Sequence, residues 1–583
     1  MTETKPNLLP ILGGAAVVVA GGVGAYFFFN NAANIIPTGI GIAGTLTVVP
    51  QQSLMAVSIS TDGEALSKIE QFLSPETKKL YDQAIAEERK NLLTGDFDYE
   101  KDVKPWIGKN VSIAILPSTK AASLNNRKPI AVINRYVPIS NTTGSNGSIQ
   151  FVQDKQETEP TPNVLLVVEV KDKAGAEKFL IEKVKTKANG KESQSDYKGV
   201  KITKYGEGSD ASYTSMVGDY LIVTPQEQSI QKAIDTFKGE ASLSGAAKAD
   251  DLKIQNSVAQ IYIPNFGESI IQLAALSPDA QAFPTESLEQ LKQIKSINMG
   301  FGIDDAGIRF KMLGKFDPTA ISALKNSPNK IIGQLPSQAF SVVTGFNIKN
   351  SWEQFVKNSE KTPEIKKSID EIRAQTKASP FALDLDKDIL GWMDGEYAFA
   401  SISTNPEGIL AQTQGLAPLL MLQTSNRAGG ESLLKKLDDF VSKNGGQVSK
   451  KDVSGVAVTE WSVPGSPGAI VSHGWSQNDT LFMTASPVVA LFVPKPATAI
   501  EGDATFKTVI STLPTNNVGY FYLDADRTWS IVQTFLPPAE KEKTPPEVKA
   551  LIASVRGLAI TATYPNQDTA EVEVILALKK GGK

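Results

Sequence analysis

The sequence predicts an α+β protein: an N-terminal transmembrane helix followed by two diverged copies of a mixed, mostly antiparallel-sheet lobe with amphipathic helices. Three observations carry that reading. An uncharged apolar run lies near the N-terminus, a motif at Asp98 recurs at Asp384, and short alternating strands separated by turns fill the rest. The 583 residues correspond to about four average domains, or to fewer large ones. Hydrophobic residues make up 41% and charged residues 21%, the balance of a chain that folds.

Composition removes several kinds of chemistry. Cysteine is absent and histidine occurs once. Disulfides, thiolate metal sites, iron–sulfur clusters, Cys–His nucleophiles and multi-histidine metal centres are therefore excluded. The 59 basic and 63 acidic side chains give a net charge of −4, which offers no electrostatic reason to bind nucleic acid. No cofactor is expected.

The first element is the run Leu8–Phe29, inside a stretch from Lys5 to Asp62 that holds no Asp, Glu, Lys or Arg between its ends. As a helix it would span about 33 Å, against a hydrocarbon core of about 30 Å. It lacks the polar stripe of a buried core helix, and it exceeds the usual apolar region of a signal peptide. The expectation is an uncleaved single-pass anchor over 8–29, with a short cytoplasmic N-terminus at 1–7 and an uncharged tether at 30–47. Lys5 and the α-amino group precede the run, and the next basic residue is Lys68, so the remaining chain is expected on the non-cytoplasmic side.

The duplication follows from a constant register. Asp98, Lys101, Asp102 and Trp106 match Asp384, Lys387, Asp388 and Trp392 in turn. Ser74-Pro75-Glu76 answers Thr362-Pro363-Glu364, each reading as a helix start with a hydroxyl cap and a proline in the first turn. Further matches in the same order divide the chain into repeats at about 48–333 and 334–583. The first repeat carries a polar insertion near 139–163, expected to be mobile. Strands are expected at Leu54–Ser60, Val111–Leu116, Val164–Val170, Val200–Tyr205, Tyr220–Thr224 and Gln260–Ile263, with helices near 75–93, 173–187 and 226–238. Each repeat ends in a hairpin, one turning at Asp305-Ala306-Gly307 and the other around Pro565-Asn566.

The uncharged N-terminal run, Ser60-Thr61-Asp62 after the first strand, the DYEKDVKPWIG segment and Asp196-Tyr-Lys-Gly-Val together resemble a family of cyanobacterial membrane-anchored proteins known as a domain of unknown function. The second repeat departs from that signature, with Gly391 in place of Pro105 and Asp394 in place of Gly108. The resemblance implies a periplasmic or thylakoid-lumen location. It implies no activity and no catalytic residues.

Candidate chemistry is sparse. Asp98-x-Glu100-x-Asp102 and Asp384-x-Asp386-x-Asp388 have the spacing that opens a calcium loop. Positions 6 and 12 are Val103 and Lys109 in one copy, Ile389 and Gly395 in the other, so both copies break the ligand pattern twice. These carboxylates are expected instead to cap a short helix and pair with Lys101 or Lys387. Gly206-x-Gly208-x-x-Ala211 imitates a dinucleotide fingerprint but leads into a strand, so it reads as a hairpin turn. His473 has no identifiable nucleophile or orienting acid beside it, and is expected to be a strand or surface residue. Ser-x-x-Lys occurs at Ser322–Lys325 and Ser432–Lys435 without its partner motifs. Trp106 and Trp392 are expected to plug the core of each lobe.

No catalytic, metal or cofactor residue is therefore assigned. Asp98, Lys101, Asp102, Trp106, Asp384, Lys387, Asp388 and Trp392 are taken as structural repeat positions. The expected role is a non-catalytic, membrane-tethered scaffold or assembly protein with a protein partner in or at the membrane. The alternative is a carrier or sensor of a lipid, pigment or other apolar ligand. A hydrolase assembled from distant carboxylates or serines ranks last.

Overall fold

A computed structural model describes residues 44–581 except 62, 64–66, 93–97, 118–162, 187, 189, 209–210, 250–251, 275–290, 322–324, 361–362, 478, 536 and 538–544. Twenty strands form one sheet among these residues. The first repeat supplies β1 (Met55–Ser60), β2 (Ile107–Leu116), β3 (Asn163–Val170), β4 (Glu192–Tyr197), β5 (Val200–Tyr205), β6 (Ser212–Val217), β7 (Tyr220–Thr224), β8 (Ser257–Pro264), β9 (Ile294–Ile303) and β10 (Gly307–Phe316). The second supplies β11 (Ala339–Phe346), β12 (Glu396–Ser403), β13 (Leu416–Gln423), β14 (Gln447–Val453), β15 (Val456–Ser462), β16 (Val471–Ser476), β17 (Thr480–Ala485), β18 (Tyr520–Asp524), β19 (Val555–Thr563) and β20 (Thr569–Leu578).

Within the first repeat the strands lie side by side as 4-5-6-7-3-2-1-8-9-10. Within the second they lie as 14-15-16-17-13-12-11-18-19-20, the same order. The register repeats as well. Val57 faces Ile113 in the first repeat, and the equivalent Val343 faces Phe399 in the second.

The two halves are fused through β10 and β20, which pair antiparallel from Gly307↔Ala577 to Lys315↔Thr569. That ladder is symmetric: placing Gly307 on Thr569 carries its pair onto the other end. Lys311 and Glu573 are equivalent positions and face each other at the centre. The fold expected from sequence is corrected here. Two lobes with separate mixed sheets would each leave a long terminal strand with an open edge. Pairing those edges satisfies both rows of backbone donors and acceptors, so one continuous sheet results, and all its strand pairs are antiparallel.

The expected single-pass anchor, and the periplasmic or lumenal placement built on it, are corrected too. No helix of the described residues is long and apolar enough to cross a membrane. The long ones, α1 (Pro75–Leu92), α7 (Pro363–Ala378) and α8 (Arg427–Lys443), carry charges along their length. Segment 8–29, its flanks 1–7 and 30–43, and the insertion to residue 162 lie outside the described residues.

Two apolar cores cover one side of the sheet on either flank of the β10·β20 ladder. In the first repeat Ile230, Ala233 and Ile234 of α3 (Glu227–Phe237) press on Leu165, Val167 and Ile222. In the second, Phe506 and Val509 of α9 (Ala504–Ile510) lie over Tyr522, Ala559 and Ile575. Between these cores the joint is polar. Arg309, 7% exposed, donates from Nε to Asp304 at 2.7 Å, from Nη1 to Glu573, and from Nη2 to Thr512 at 2.6 Å. Lys311 adds a 3.3 Å ion pair to Glu573. Gly307 opens β10 at φ +149°, where a Cβ would collide with the Leu576 carbonyl across the joint.

This network yields a stability prediction. Arg309→Met leaves Glu573 and Asp304 without their main partner and should cost about 3 kcal/mol in urea unfolding. Arg309→Met combined with Glu573→Met should recover most of that loss. Additive losses in the double variant would show that the pair does not couple.

Candidate functional site

The repeated motif forms one local device, built twice. Asp98 stands before a single wide helical turn, Tyr99–Val103, and accepts from the Lys101 amide at 3.2 Å. The Asp98 amide donates in return to Asp102 Oδ2 at 2.9 Å. Asp384 and Asp388 do the same around Leu385–Ile389, at 2.9 Å in both directions. These reciprocal bonds are the logic of a capping box, with aspartate doing both jobs. The Trp106 indole donates to the Asp102 carbonyl at 2.7 Å, and the Trp392 indole to that of Asp388 at 3.2 Å. Each tryptophan is thereby aimed into a core, 5% and 1% exposed respectively.

A second tie recurs that the sequence reading missed. Lys183 reaches Asp102 at 2.9 Å, and Lys436 reaches Asp388 at 2.8 Å, each from the helix following the third strand of its repeat. Lys101 does pair with Asp98, at 3.3 Å, but with 82% of its side chain exposed, so that contact is weak. The Lys183 ammonium holds the Asp102 carboxyl below its usual range, helped by the Asp98 amide. Lys436 and then the Asp384 amide do the same for Asp388. In the second copy Asp386 is further bound by Arg373, at 2.7 and 2.9 Å, and by the Trp352 indole at 2.6 Å. Arg373 is the main reason its carboxyl is depressed.

These carboxylates spend their lone pairs on backbone amides, lysines and an arginine, so the constellation positions tryptophans. No group of three or more metal-ligating side chains suited to an ion occurs among the described residues. Gly206 and Gly208 lie at positive φ in the turn joining β5 to β6, which is a hairpin connection. His473 sits in β16, only 3% exposed; its Nε2 lies 2.8 Å from Asp438 Oδ1, which also accepts from Trp461 at 2.6 Å. Both Ser432 and Lys435 are exposed on α8, where Lys435 pairs with Asp439 at 2.9 Å. Ser322 lies outside the described residues. Burial raises the Asp524 carboxyl, but that group caps α10 (Ala525–Phe535) through the Arg527 amide at 2.9 Å.

The feature that stands out lies on the sheet face carrying the two tryptophans. Directly paired residues in an antiparallel ladder point to the same side. Following the pairs from Met216 gives Leu221, Val168, Val111, Ile59, Ala259, Phe301 and Phe310 across the first repeat. Beyond the joint the row continues through Val574, Ile560, Phe521, Val343, Phe399, Leu420 and Met483. Fifteen strands contribute fifteen apolar side chains with no polar break, a row about 65 Å long at normal strand spacing. Its two ends are half-buried, packed against the clusters of Trp106 and Trp392. Within the second repeat it opens: Val343 is 37% and Phe399 48% exposed, while the equivalent Val57 is 7% exposed.

The surrounding surface follows the same asymmetry. Among the described residues, eleven of the thirteen exposed large hydrophobic side chains belong to the second repeat. They include Phe355 on α6 (Ile348–Ser359), Val532 and Phe535 on α10, and Leu551 on α11 (Pro546–Ser554). Large apolar side chains are thus left exposed mainly on the second repeat.

A family profile described as "Protein of unknown function (DUF3352)" matches residues 11–578, and the chain belongs to that family. No curated protein matches the chain. Among solved structures, crystal form III of TP0453 aligns over 48% of this chain and 88% of that one, at 9% identity and a TM-score of 0.25. Crystal form IV of TP0453 aligns over 48% and 84%, at 10% identity and a TM-score of 0.24. Likeness at that level carries no argument about this chain.

Two outcomes follow from the motif. Asp98→Ala and Asp384→Ala should each cost about 1 kcal/mol, the usual worth of a lost cap. A carboxyl depressed by folding stabilises above its unfolded pKa, and the contribution is lost as pH falls through the folded value. Asp102, Asp386 and Asp388 should therefore lower stability as pH drops below about 4, the unperturbed aspartate value. Urea titrations of the wild type and of Asp388→Asn should converge at acidic pH; a constant gap down the whole range would contradict the assignment.

Proposed function

We propose that this protein is a non-catalytic interaction protein that uses the open apolar face of its second repeat to hold a partner protein. The observation that carries the reading is the unbroken apolar row, packed at both ends against the tryptophan clusters and exposed at Val343 and Phe399. Aliphatic and phenyl groups there offer contact area and no proton to transfer. An apolar segment of a partner would gain roughly 25 cal/mol for each Å² it buries. The aspartate motifs support the same reading, because their carboxylates are committed to caps and ion pairs.

A second reading, a carrier of a lipid, pigment or other apolar molecule, is favoured by one observation. The middle of the row, from Phe301 through Phe310, Val574 and Ile560 to Phe521, is half-buried, so the floor is continuous beyond the opening.

The test uses the purified full chain from its native source, with Phe399→Asp beside a control, Ile181→Asp, at an exposed apolar position of the first repeat. A stoichiometric protein partner lost in Phe399→Asp and kept in Ile181→Asp is expected. One apolar molecule per chain in the organic extract, lost with the same variant, would favour the carrier instead. Unaltered composition in Phe399→Asp would remove the apolar face as the working surface.

A further inference from the structure

We draw no further inference here: the strongest candidate, the exposed Ile365 and Ile372 side of α7 in the second repeat, the helix equivalent to the α1 on which α11 packs, carries nothing because nothing in the structure shows what covers it.

Discussion

The β10·β20 ladder is the constraint on which the remaining architecture depends. Each strand alternates between an apolar side, with Ile308, Phe310 and Met312 or Val572 and Val574, and a charged side, with Arg309 and Lys311 or Glu571 and Glu573. Because side chains alternate with period two, a slip of one residue would place the charges of one repeat on the apolar face of the other. Arg309 and Lys311 both bond Glu573 across the ladder, and that pairing is satisfied in one register only. The same contact therefore joins two ten-strand halves, aligns their apolar faces into one row and sets the polar network behind them.

Away from the joint, each repeat is organised from its tryptophan. The aspartate-capped turn fixes the indole by a backbone hydrogen bond, and the lysine from the next helix ties that helix to the same turn. Around Trp392 this assembles Leu422, Leu434 and Leu481, and around Trp106 it assembles Val111, Val168 and Leu221. The ends of the apolar row are closed by these clusters. Duplication supplied two such anchors; divergence then left one floor covered at Val57 and the other open at Val343.

Much of this was legible because it has local causes. Alternating apolar runs placed β5 at Val200–Tyr205 and β7 at Tyr220–Thr224, and the period of Ile230, Ala233 and Ile234 placed a helix over them. The Asp384-to-Trp392 spacing disclosed the capped turn and its buried indole. What escaped has non-local causes. β4, Glu192–Tyr197, is a polar edge strand with nothing apolar to announce it, and it exists because β5 pairs with it. The Lys183–Asp102 and Lys436–Asp388 ties join residues far apart in sequence. The joint itself is a choice of partner between two hairpins that each read as an end, and no periodicity encodes that choice. The apolar row is invisible for the same reason, since its members are neighbours only across strands.

An apolar face on one side and a charged network on the other follow from a single register, so that register is the claim most worth testing. Hydrogen exchange of the full chain, read at the amides of β10 and β20, does so directly. Protection there equal to that of the central strands β1 and β11 is the predicted result. Exchange as fast as in the edge strands β4 and β14 would mean that the halves are not one sheet, and would contradict the account.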